Sequence, residues 1–336
     1  MSNPKVCLLS DYEGIIDEGM RVTAFYFQRN LSQDHELLHL QVKELLSWSG
    51  LQKIRGFHPD IIHLIPGPTL KSFILLKTLK TLFPYAKTVM SATHLALLPY
   101  SLKIIPLLKP DIILTQSIDS EKKLANANCR VRFLSSGVDL EQYRPSDART
   151  KAELRRKYCL DVNRPVILHV GSITKRRNIC LFPTLSEKVK TQVLIIGSLS
   201  IPLENDVYEF LTNKGCRIIR EYVPNLQEIY ALADCYVFPT VNPRAAIEIP
   251  LTVLEAMACN LPVVSTRFGA LPRIFDEGDG LLYANDPDEF VSKLKMALSG
   301  NLSVNTRKKA LPYSWANIKG ELKNTYAELL DHKNDQ

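Results

Sequence analysis

The sequence predicts an α/β protein made of two doubly wound domains, each with a parallel sheet. Three observations support this. The chain has 336 residues, which suffices for two domains at about 150 residues each. Short apolar runs alternate with helix-like segments from end to end, as in successive right-handed βαβ units. A polar, charged stretch containing Pro145, Asp139–Cys159, separates the two halves, and we interpret it as a linker.

The candidate strands of the first half are short apolar runs bounded by polar or turn-forming residues. They are Val6–Ser10, Ile61–Leu64, Lys87–Ser91, Ile112–Thr115 and Val131–Leu134. Pro-Asp pairs precede two of them, a pattern typical of parallel strands buried on both faces. Amphipathic stretches at Leu70–Leu82 and Ser120–Asn126 predict helices between the strands, and Asp17–Met20 indicates a further helix start.

The second half repeats this alternation. Its candidate strands are Val166–Val170, Val193–Ile196, Cys216–Ile219, Cys235–Phe238 and Pro262–Ser265, and its candidate helices are Pro202–Lys214, Leu226–Ala231, Leu251–Ala258 and Pro287–Leu298. One more helix, Ser314–Leu330, follows a polar stretch. We expect a first domain over residues 1–145, joined by the C-terminal helix 314–332, and a second over 160–312. Ligands of such sheets bind at the carboxyl ends of the strands, so the cleft between the domains is the expected site.

Composition excludes several classes of protein. The chain is 46% hydrophobic and 23% charged, which does not fit a disordered, collagen-like or disulfide-scaffold protein. Its net charge of +7 suits an anionic ligand or an acidic membrane surface, and it does not require nucleic acid. The seven cysteines form no C-x-x-C pair, which favours a reducing cytoplasm. With no signal peptide or membrane span predicted, we expect a cytoplasmic protein that is at most peripheral at the inner membrane face.

Several common site motifs are absent from the sequence. Neither the dinucleotide fingerprint G-x-G-x-x-G nor the phosphate loop G-x-x-x-x-G-K-[ST] occurs. The histidines are scattered, and no D-x-D pair offers a metal–diphosphate site. The sequence therefore predicts no metal and no bound cofactor.

Five segments together resemble the family 4 glycosyltransferases, retaining nucleotide-sugar enzymes of the GT-B fold. They are residues 59–68 (PDIIHLIPGP), 135–145 (SSGVDLEQYRP), 166–178 (VILHVGSITKRRN), 222–240 (YVPNLQEIYALADCYVFPT) and 245–266 (AAIEIPLTVLEAMACNLPVVST). The resemblance covers nearly the whole chain. It implies two Rossmann-like domains, with the nucleotide bound by the second, most of the acceptor bound by the first, and no metal.

The resemblance assigns two acidic residues to the nucleotide-sugar. Glu255 stands at the second acidic position of the family, whose carboxylate accepts hydrogen bonds from the ribose hydroxyls. An exposed acid in the first turn of a helix is the alternative. The first acidic position holds Ile247, and Glu248 stands one residue later. Glu248 is either a ligand of the sugar hydroxyls or a surface acid.

The resemblance places a diphosphate site around the first strand of the second domain. Gly171 and Ser172 stand where the family has Gly-Arg, Arg177 stands at the family's loop lysine, and Lys175 lies nearby. A guanidinium suits a diphosphate because it donates paired hydrogen bonds. The alternative is a solvated charge run. Further donor ligands are the amides of Leu251, Thr252 and Val253 at a helix start, where Pro250 replaces a glycine, and Val223 in the base-binding loop.

In the first domain, the resemblance indicates a close approach of backbone to the donor at Gly14 and Gly19, and a sugar contact at His94. Simple turn glycines and a structural histidine are the alternatives. The basic clusters Arg155–Lys157 and Arg307–Lys309 are predicted to be solvated helix faces, or else contacts to anionic lipid.

We therefore predict a metal-independent, hexosyltransferase-type retaining enzyme with His94, Arg177 and Glu248 as its catalytic residues. Its expected partners are a nucleotide-diphosphate sugar and a saccharide or lipid-linked acceptor, with no nucleic acid. Ser172 and Ile247 depart from the family, and they leave two alternatives open. One is a non-catalytic protein of the GT-B fold that binds nucleotide-sugar, and the other is a nucleotide-sugar epimerase of that fold.

Overall fold

The computed structural model describes residues 4–11, 17–94 and 102–331. They form two compact units. Unit 1 comprises the described residues up to Ser136, the segment Ile247–Ile249 and the described residues from Trp315, and unit 2 comprises Gly137–Ala246 and Pro250–Ser314. Within these residues each unit contains a six-stranded parallel sheet flanked by helices, so the predicted fold class is confirmed.

The elements of unit 1 up to Ser136 alternate between strand and helix. They are β1 (Lys5–Leu9), α1 (Gly19–Leu31), β2 (Glu36–Leu40), α2 (Trp48–Phe57), β3 (Ile61–Leu64), α3 (Leu70–Leu82), β4 (Lys87–Ala92), α4 (Ile105–Leu108), β5 (Ile112–Thr115), α5 (Ile118–Asn126) and β6 (Val131–Phe133). The strand order is β2-β1-β3-β4-β5-β6. Every residue of β3 and β5 is buried, as expected for parallel strands covered on both faces.

Unit 2 follows the same alternation. Its elements are α6 (Ala148–Lys157), β7 (Val166–Gly171), α7 (Phe182–Val189), β8 (Gln192–Gly197), α8 (Asn205–Asn213), β9 (Arg217–Ile219), α9 (Leu226–Leu232), β10 (Cys235–Phe238), α10 (Leu251–Ala258), β11 (Val263–Ser265), α11 (Leu271–Ile274), β12 (Leu281–Tyr283), α12 (Pro287–Leu298) and α13 (Thr306–Ala310). The strand order is β12-β11-β10-β7-β8-β9. None of the helices in the described part of the chain has the length and hydropathy that a bilayer crossing requires.

The interpretation of Asp139–Cys159 as a linker is wrong for residues 148–157. Residues 148–157 form α6, whose N-terminus is capped by Asp147, and this helix packs against α9 within unit 2. Arg155 is buried rather than solvated: its guanidinium pairs with Asp234 and donates to the carbonyls of Leu232 and Val162. The polar composition of the stretch therefore reflects the ion pair of a buried arginine and one solvent-exposed helix face.

The predicted solvated face at Arg307–Lys309 is also wrong for its first residue. The Arg307 guanidinium is half-buried and donates to the backbone carbonyls of Leu140, Tyr143 and Ala258. It thus ties α13 to the start of unit 2 and to the end of α10.

The last helix, α14 (Trp315–Asp331), belongs to unit 1. Trp315 stacks on Tyr26 of α1, with ring centroids 4.7 Å apart. Inside the unit, the Tyr326 hydroxyl lies 2.7 Å from Nδ1 of the fully buried His63. Lys319 and Lys323 pair with Asp34 at the rim. The helix therefore contributes to the core of unit 1 as well as to its surface.

Candidate functional site

The strand order of unit 2 fixes where a ligand site is expected. From β7 the chain adds β8 and β9 on one side and then crosses to place β10 on the other side, so the order reverses between β7 and β10. Open parallel sheets bind ligands at the carboxyl ends of the strands beside such a reversal. Here those ends are Gly171 and Phe238. Gly171 is itself a sequence-predicted ligand residue, and Ser172 directly follows it.

Arg177 lies over Gly171. It ends a short 3₁₀ turn, Lys175–Arg177, and Asn178 then adopts a positive φ of 57° that turns the chain back. The guanidinium carbon and Nη1 of Arg177 lie 3.2 Å from the point where a β-carbon on residue 171 would stand. Its Nε donates to Ser172 Oγ at 3.3 Å. The structure therefore brings Gly171, Ser172 and Arg177 together at the carboxyl end of β7.

We expect Gly171→Ala to weaken the binding of a nucleoside diphosphate about tenfold, as for loss of one hydrogen bond to a charged group. The new β-carbon would meet the guanidinium at 3.2 Å and displace it from its present position. Calorimetric titration with UDP, GDP and ADP measures the change. Gly56→Ala is the control, because a β-carbon at this position in α2 meets nothing within 4 Å. If Gly171→Ala bound the nucleoside diphosphates with unchanged affinity, Arg177 would not be a contact of the ligand.

Helix α10 begins beside the same strand ends. Its N-terminal residue is preceded by Pro250, and the amide of Val253 already donates to the Pro250 carbonyl at 3.1 Å. The backbone amides in the first turn of a helix have no acceptor within the helix. The amides of Leu251 and Thr252 can therefore donate to a bound anion. The Tyr236 hydroxyl lies 2.7 Å from Thr252 Oγ1 and so fixes this turn to β10.

Glu255, in the middle of α10, is 9% exposed, so the interpretation as an exposed first-turn acid is wrong. Its Oε2 accepts a 2.6 Å hydrogen bond from the hydroxyl of Tyr230, a fully buried residue of α9. Burial raises the pKa of the carboxyl to about 7, although the hydrogen bonds from Tyr230 and Tyr143 lower it. A buried carboxyl near neutrality, held by phenols, is typical of functional sites.

Two other predicted donor ligands of unit 2 lie apart from this group of contacts. The ammonium group of Lys175 pairs with Asp206, and its backbone amide donates to Glu204 at 2.9 Å. Lys175 is therefore engaged with residues at the start of α8. Val223 lies half-buried in the loop between β9 and α9.

The predicted residues of the first domain meet around the segment Ile247–Ile249, which belongs to unit 1. A β-carbon on Gly19, the first residue of α1, would stand 3.0 Å from the Ile247 side chain. The Glu248 amide donates to the carbonyl of Thr93, next to His94. His94 Nδ1 lies 3.3 Å from Thr93 Oγ1. Gly14 lies outside the described residues.

Glu248 is buried, so the interpretation as a surface acid is wrong. Its Oε1 accepts hydrogen bonds of 2.7 Å from Ser117, which caps α5, and from Ser120. Its Oε2 has no hydrogen-bond partner among the described residues. Burial raises the pKa of this carboxyl. The structure thus gives Glu248 a local role at the start of α5 and leaves one oxygen for a ligand.

Sequence reasoning missed two polar residues of this site. His169 stands in the apolar run of β7, and Tyr236 stands in that of β10. Both are fully buried, with their rings 6.4 Å apart and nearly parallel. A polar side chain within an apolar strand next to a switch point is the one signal that could have found them. Among the described residues, no cluster of three or more His, Cys, Asp or Glu side chains is placed to hold a metal ion.

An open depression of about 700 Å³ lies elsewhere in unit 2. It is lined by Arg164, Pro183, Ser186, Glu187, Lys190 and Lys214. Arg164, Lys190 and Lys214 precede β7, β8 and β9, so this depression lies at the amino ends of the strands. It is at the edge of the sheet opposite to Gly171 and is not the candidate site.

The sequence matches one family model and several curated proteins. Residues 164–299 match the family model of glycosyl transferases group 1. The chain is 28% identical to a D-inositol 3-phosphate glycosyltransferase of Corynebacterium urealyticum over 233 residues, which is 63% of this chain and 54% of that protein. It is 27% identical to the sulfoquinovosyl transferase SQD2 of Arabidopsis thaliana over 272 residues, or 74% and 51% of the two chains. The chain thus spans about half the length of these curated relatives.

Solved structures share the fold over nearly the whole chain. A sucrose-phosphate synthase from Thermosynechococcus elongatus superposes with a TM-score of 0.78 at 15% identity, covering 98% of this chain and 100% of that one. HepE of Anabaena, solved in complex with UDP-glucose, superposes with a TM-score of 0.75 at 13% identity, covering 97% and 100%. At this identity the likeness concerns the fold alone.

Proposed function

We propose that the chain is a member of the glycosyl transferases group 1 family, whose model matches residues 164–299, and that it moves a sugar from a nucleoside-diphosphate donor to an acceptor hydroxyl with retention at the anomeric carbon. One observation carries the proposal. A permanently charged guanidinium, Arg177, lies on Gly171 at the switch point of unit 2, and the first turn of α10 lies beside the same strand ends. HepE and a starch synthase IV of Arabidopsis thaliana were solved with UDP-glucose and with ADP, which supports a nucleotide-linked donor here.

The proposed chemistry concentrates negative charge on the leaving group. The bond between the anomeric carbon and the diphosphate oxygen breaks, and the acceptor oxygen bonds to that carbon from the same face. The departing diphosphate takes the proton of the acceptor hydroxyl. Arg177 and the amides of Leu251 and Thr252 stabilise the charge on the diphosphate, and fixed donors do so without reorganising. Glu255 binds the ribose hydroxyls. Gly19, His94 and Glu248 would contact the sugar.

A ligand panel tests the proposal. At one hundred times its Kd a ligand adds about 2.7 kcal/mol to the free energy of unfolding, so UDP, GDP and ADP are first compared by thermal shift. The matching nucleotide-sugars are then assayed for release of the nucleotide and for the anomeric configuration of the product. A protein that no nucleoside diphosphate stabilises would contradict the proposal. Binding without release or transfer would favour the non-catalytic alternative, for which Ser172 and Ile247 are the sequence arguments, and an interconverted donor sugar would favour an epimerase.

We expect activity to survive treatment with EDTA, because Arg177 takes the place that a divalent cation occupies in metal-dependent transferases. Turnover is measured before and after chelation, with MgCl₂ then added in excess. Equal rates in all three conditions fit the proposal. Complete loss in EDTA with recovery in Mg²⁺ would contradict it.

We also propose that unit 1 contacts an anionic membrane surface, where a lipid-linked acceptor would lie. Residues 61–110 carry six lysines and no Asp or Glu. Helix α4 packs against α3, and this pair exposes Ile74, Ile104 and Leu107, the last of them 74% exposed. Exposed lysines lie on or beside both helices, namely Lys71, Lys77, Lys103 and Lys109. Apolar side chains among lysines suit a layer of acidic headgroups.

Co-sedimentation with lipid vesicles tests this contact. We expect binding to vesicles that contain phosphatidylglycerol and none to pure phosphatidylcholine. Because each basic residue near such a surface contributes about 1 kcal/mol, the double variant K103E/K109E should bind at least twentyfold more weakly. Lys308→Glu, an exposed lysine of unit 2, is the control. Equal binding of the double variant, or no binding by the wild-type protein, would exclude the membrane as the partner.

A further inference from the structure

His169 is a buried histidine that the proposed chemistry does not use. It lies in β7 and is fully buried, with the rings of Phe182, Tyr236 and Phe238 as neighbours. Its Nδ1 lies 3.0 Å from the carbonyl oxygen of Val237, so Nδ1 carries the proton and donates it. Its Nε2 is then an acceptor, and no donor in the described part of the chain reaches it. An unsatisfied buried acceptor is unfavourable, because it has given up its hydrogen bonds to water.

The unpartnered nitrogen points into the space above Gly171. Nε2 lies 3.3 Å from the point where a β-carbon on residue 171 would stand, and Nη1 of Arg177 lies 3.2 Å from the same point. Both nitrogens therefore border the small space that a side chain at position 171 would fill and that glycine leaves empty. The guanidinium offers N–H groups, and Nε2 offers a lone pair.

We propose that His169 is a positioning residue for Arg177: when a diphosphate binds, an N–H of the guanidinium donates to Nε2, and this hydrogen bond fixes the orientation in which Arg177 holds the ligand. The inference rests on the proposed function, because it assumes that the ligand of Arg177 is a diphosphate. His169 would thus be a further residue of the diphosphate site, behind those that contact the ligand.

The chemistry of the imidazole excludes a direct role on the diphosphate. Diphosphate oxygens only accept hydrogen bonds, and the Nε2 of this tautomer has no hydrogen to give. Burial and the charge of Arg177 lower the pKa of His169 to about 3, so the ring is neutral at any working pH. A neutral acceptor beside a guanidinium leaves the positive charge intact for the ligand. The donor bond to Val237 holds the ring in place.

A double-mutant cycle tests the coupling. His169→Phe keeps a ring in the cavity and removes both nitrogens, and His169→Gln keeps one donor and one acceptor. Each is made alone and together with Arg177→Gln. The probe is whichever of UDP, GDP and ADP binds the wild-type protein, titrated by calorimetry. The control is His63→Phe, which removes an equally buried histidine of unit 1 that hydrogen-bonds to Tyr326 and Ser91.

We expect His169→Phe to weaken nucleoside-diphosphate binding about tenfold, as for one hydrogen bond to a charged group, and His169→Gln to restore most of the loss. In the Arg177→Gln background, His169→Phe should change the affinity less than twofold. His63→Phe should lower the melting temperature and leave the affinity unchanged. Equal losses with and without Arg177 would overturn the inference, as would a loss matched by His63→Phe. If the wild-type protein binds no nucleoside diphosphate, the proposed function fails and the inference fails with it.

Discussion

Glu255→Gln is expected to lower the affinity for the nucleoside diphosphate about ten- to a hundredfold. The substitution keeps the shape of the side chain and removes the charge that accepts hydrogen bonds from the ribose hydroxyls. Hydrogen bonds to charged groups contribute about 1.5–3 kcal/mol each, which sets the range. Tyr230 donates to the same carboxyl in the structure and can donate to the amide oxygen of the variant as well, so the local packing is kept.

The same substitution should act on stability in the opposite direction. The pKa of Glu255 is raised to about 7 from the ordinary glutamate value of 4.5, because burial favours the neutral carboxyl. Its contribution to the free energy of unfolding is therefore complete below pH 4.5 and is lost as the pH rises to about 7. The full loss amounts to about 3 kcal/mol. Glutamine does not titrate, so the variant should gain stability over the wild-type protein between pH 5 and pH 8.

Two measurements separate these effects. Urea unfolding of both proteins at pH 5 and pH 8 gives the stability difference, and calorimetry over the same range gives the affinity. Since the ribose hydroxyls favour the ionised carboxyl, the affinity of the wild-type protein should rise through pH 7 more steeply than that of the variant, in which only the terminal phosphate of the ligand titrates. A variant that binds UDP, GDP and ADP as the wild-type protein does would show that Glu255 is not the ribose ligand.

Arg155→Ala is expected to lower the free energy of unfolding by about 3–5 kcal/mol, the range found when one partner of a buried ion pair is removed. The Arg155 side chain is 7% exposed, and the substitution would remove its donors from three acceptors: the buried carbonyl of Leu232, the half-buried carboxylate of Asp234 and the carbonyl of Val162. Asp234 would retain Lys151 and the amide of Val166.

Urea unfolding followed by tryptophan fluorescence and circular dichroism measures this loss. Arg156→Ala is the matched control, because Arg156 is the next residue of α6 and is exposed. Its effect should stay within about 0.5 kcal/mol. Equal, small effects of both substitutions would restore the view of this stretch as a solvated face.

The strand–helix alternation was readable from the sequence because buried parallel strands are continuous apolar runs, as at Ile61–Leu64 and Cys235–Phe238. The edge strands β2 and β12 were missed. β2 buries only Leu40 and so lacks such a run, and β12 has three residues. α6 was taken for a linker because its mean hydropathy is low, and the pairing partner of Arg155, Asp234, stands 79 residues later. Local pattern carries no information about such a contact.

The candidate site was predictable where a motif position fixed a residue. Arg177, Gly171 and Ser172 meet as the motif implies. The surroundings were not predictable, because they depend on which distant side chains share a space. Tyr230 reaches Glu255 across 25 residues, and Ser117 reaches Glu248 across 131. These contacts decide whether the carboxyls of Glu255 and Glu248 are exposed to solvent or buried.

The position of α14 has a consequence for the order in which the two units can fold during synthesis on the ribosome. Tyr26 and His63 emerge early, yet the residues that cover them, Trp315 and Tyr326, are translated only after all of unit 2. Unit 2 has every one of its residues once Ser314 has been added, so it can complete its core first although its chain starts later. A chain truncated after Ser314 and released from the ribosome would then have all of unit 2 beside a unit 1 that lacks α14, and the exposed apolar face of unit 1 would bind chaperones.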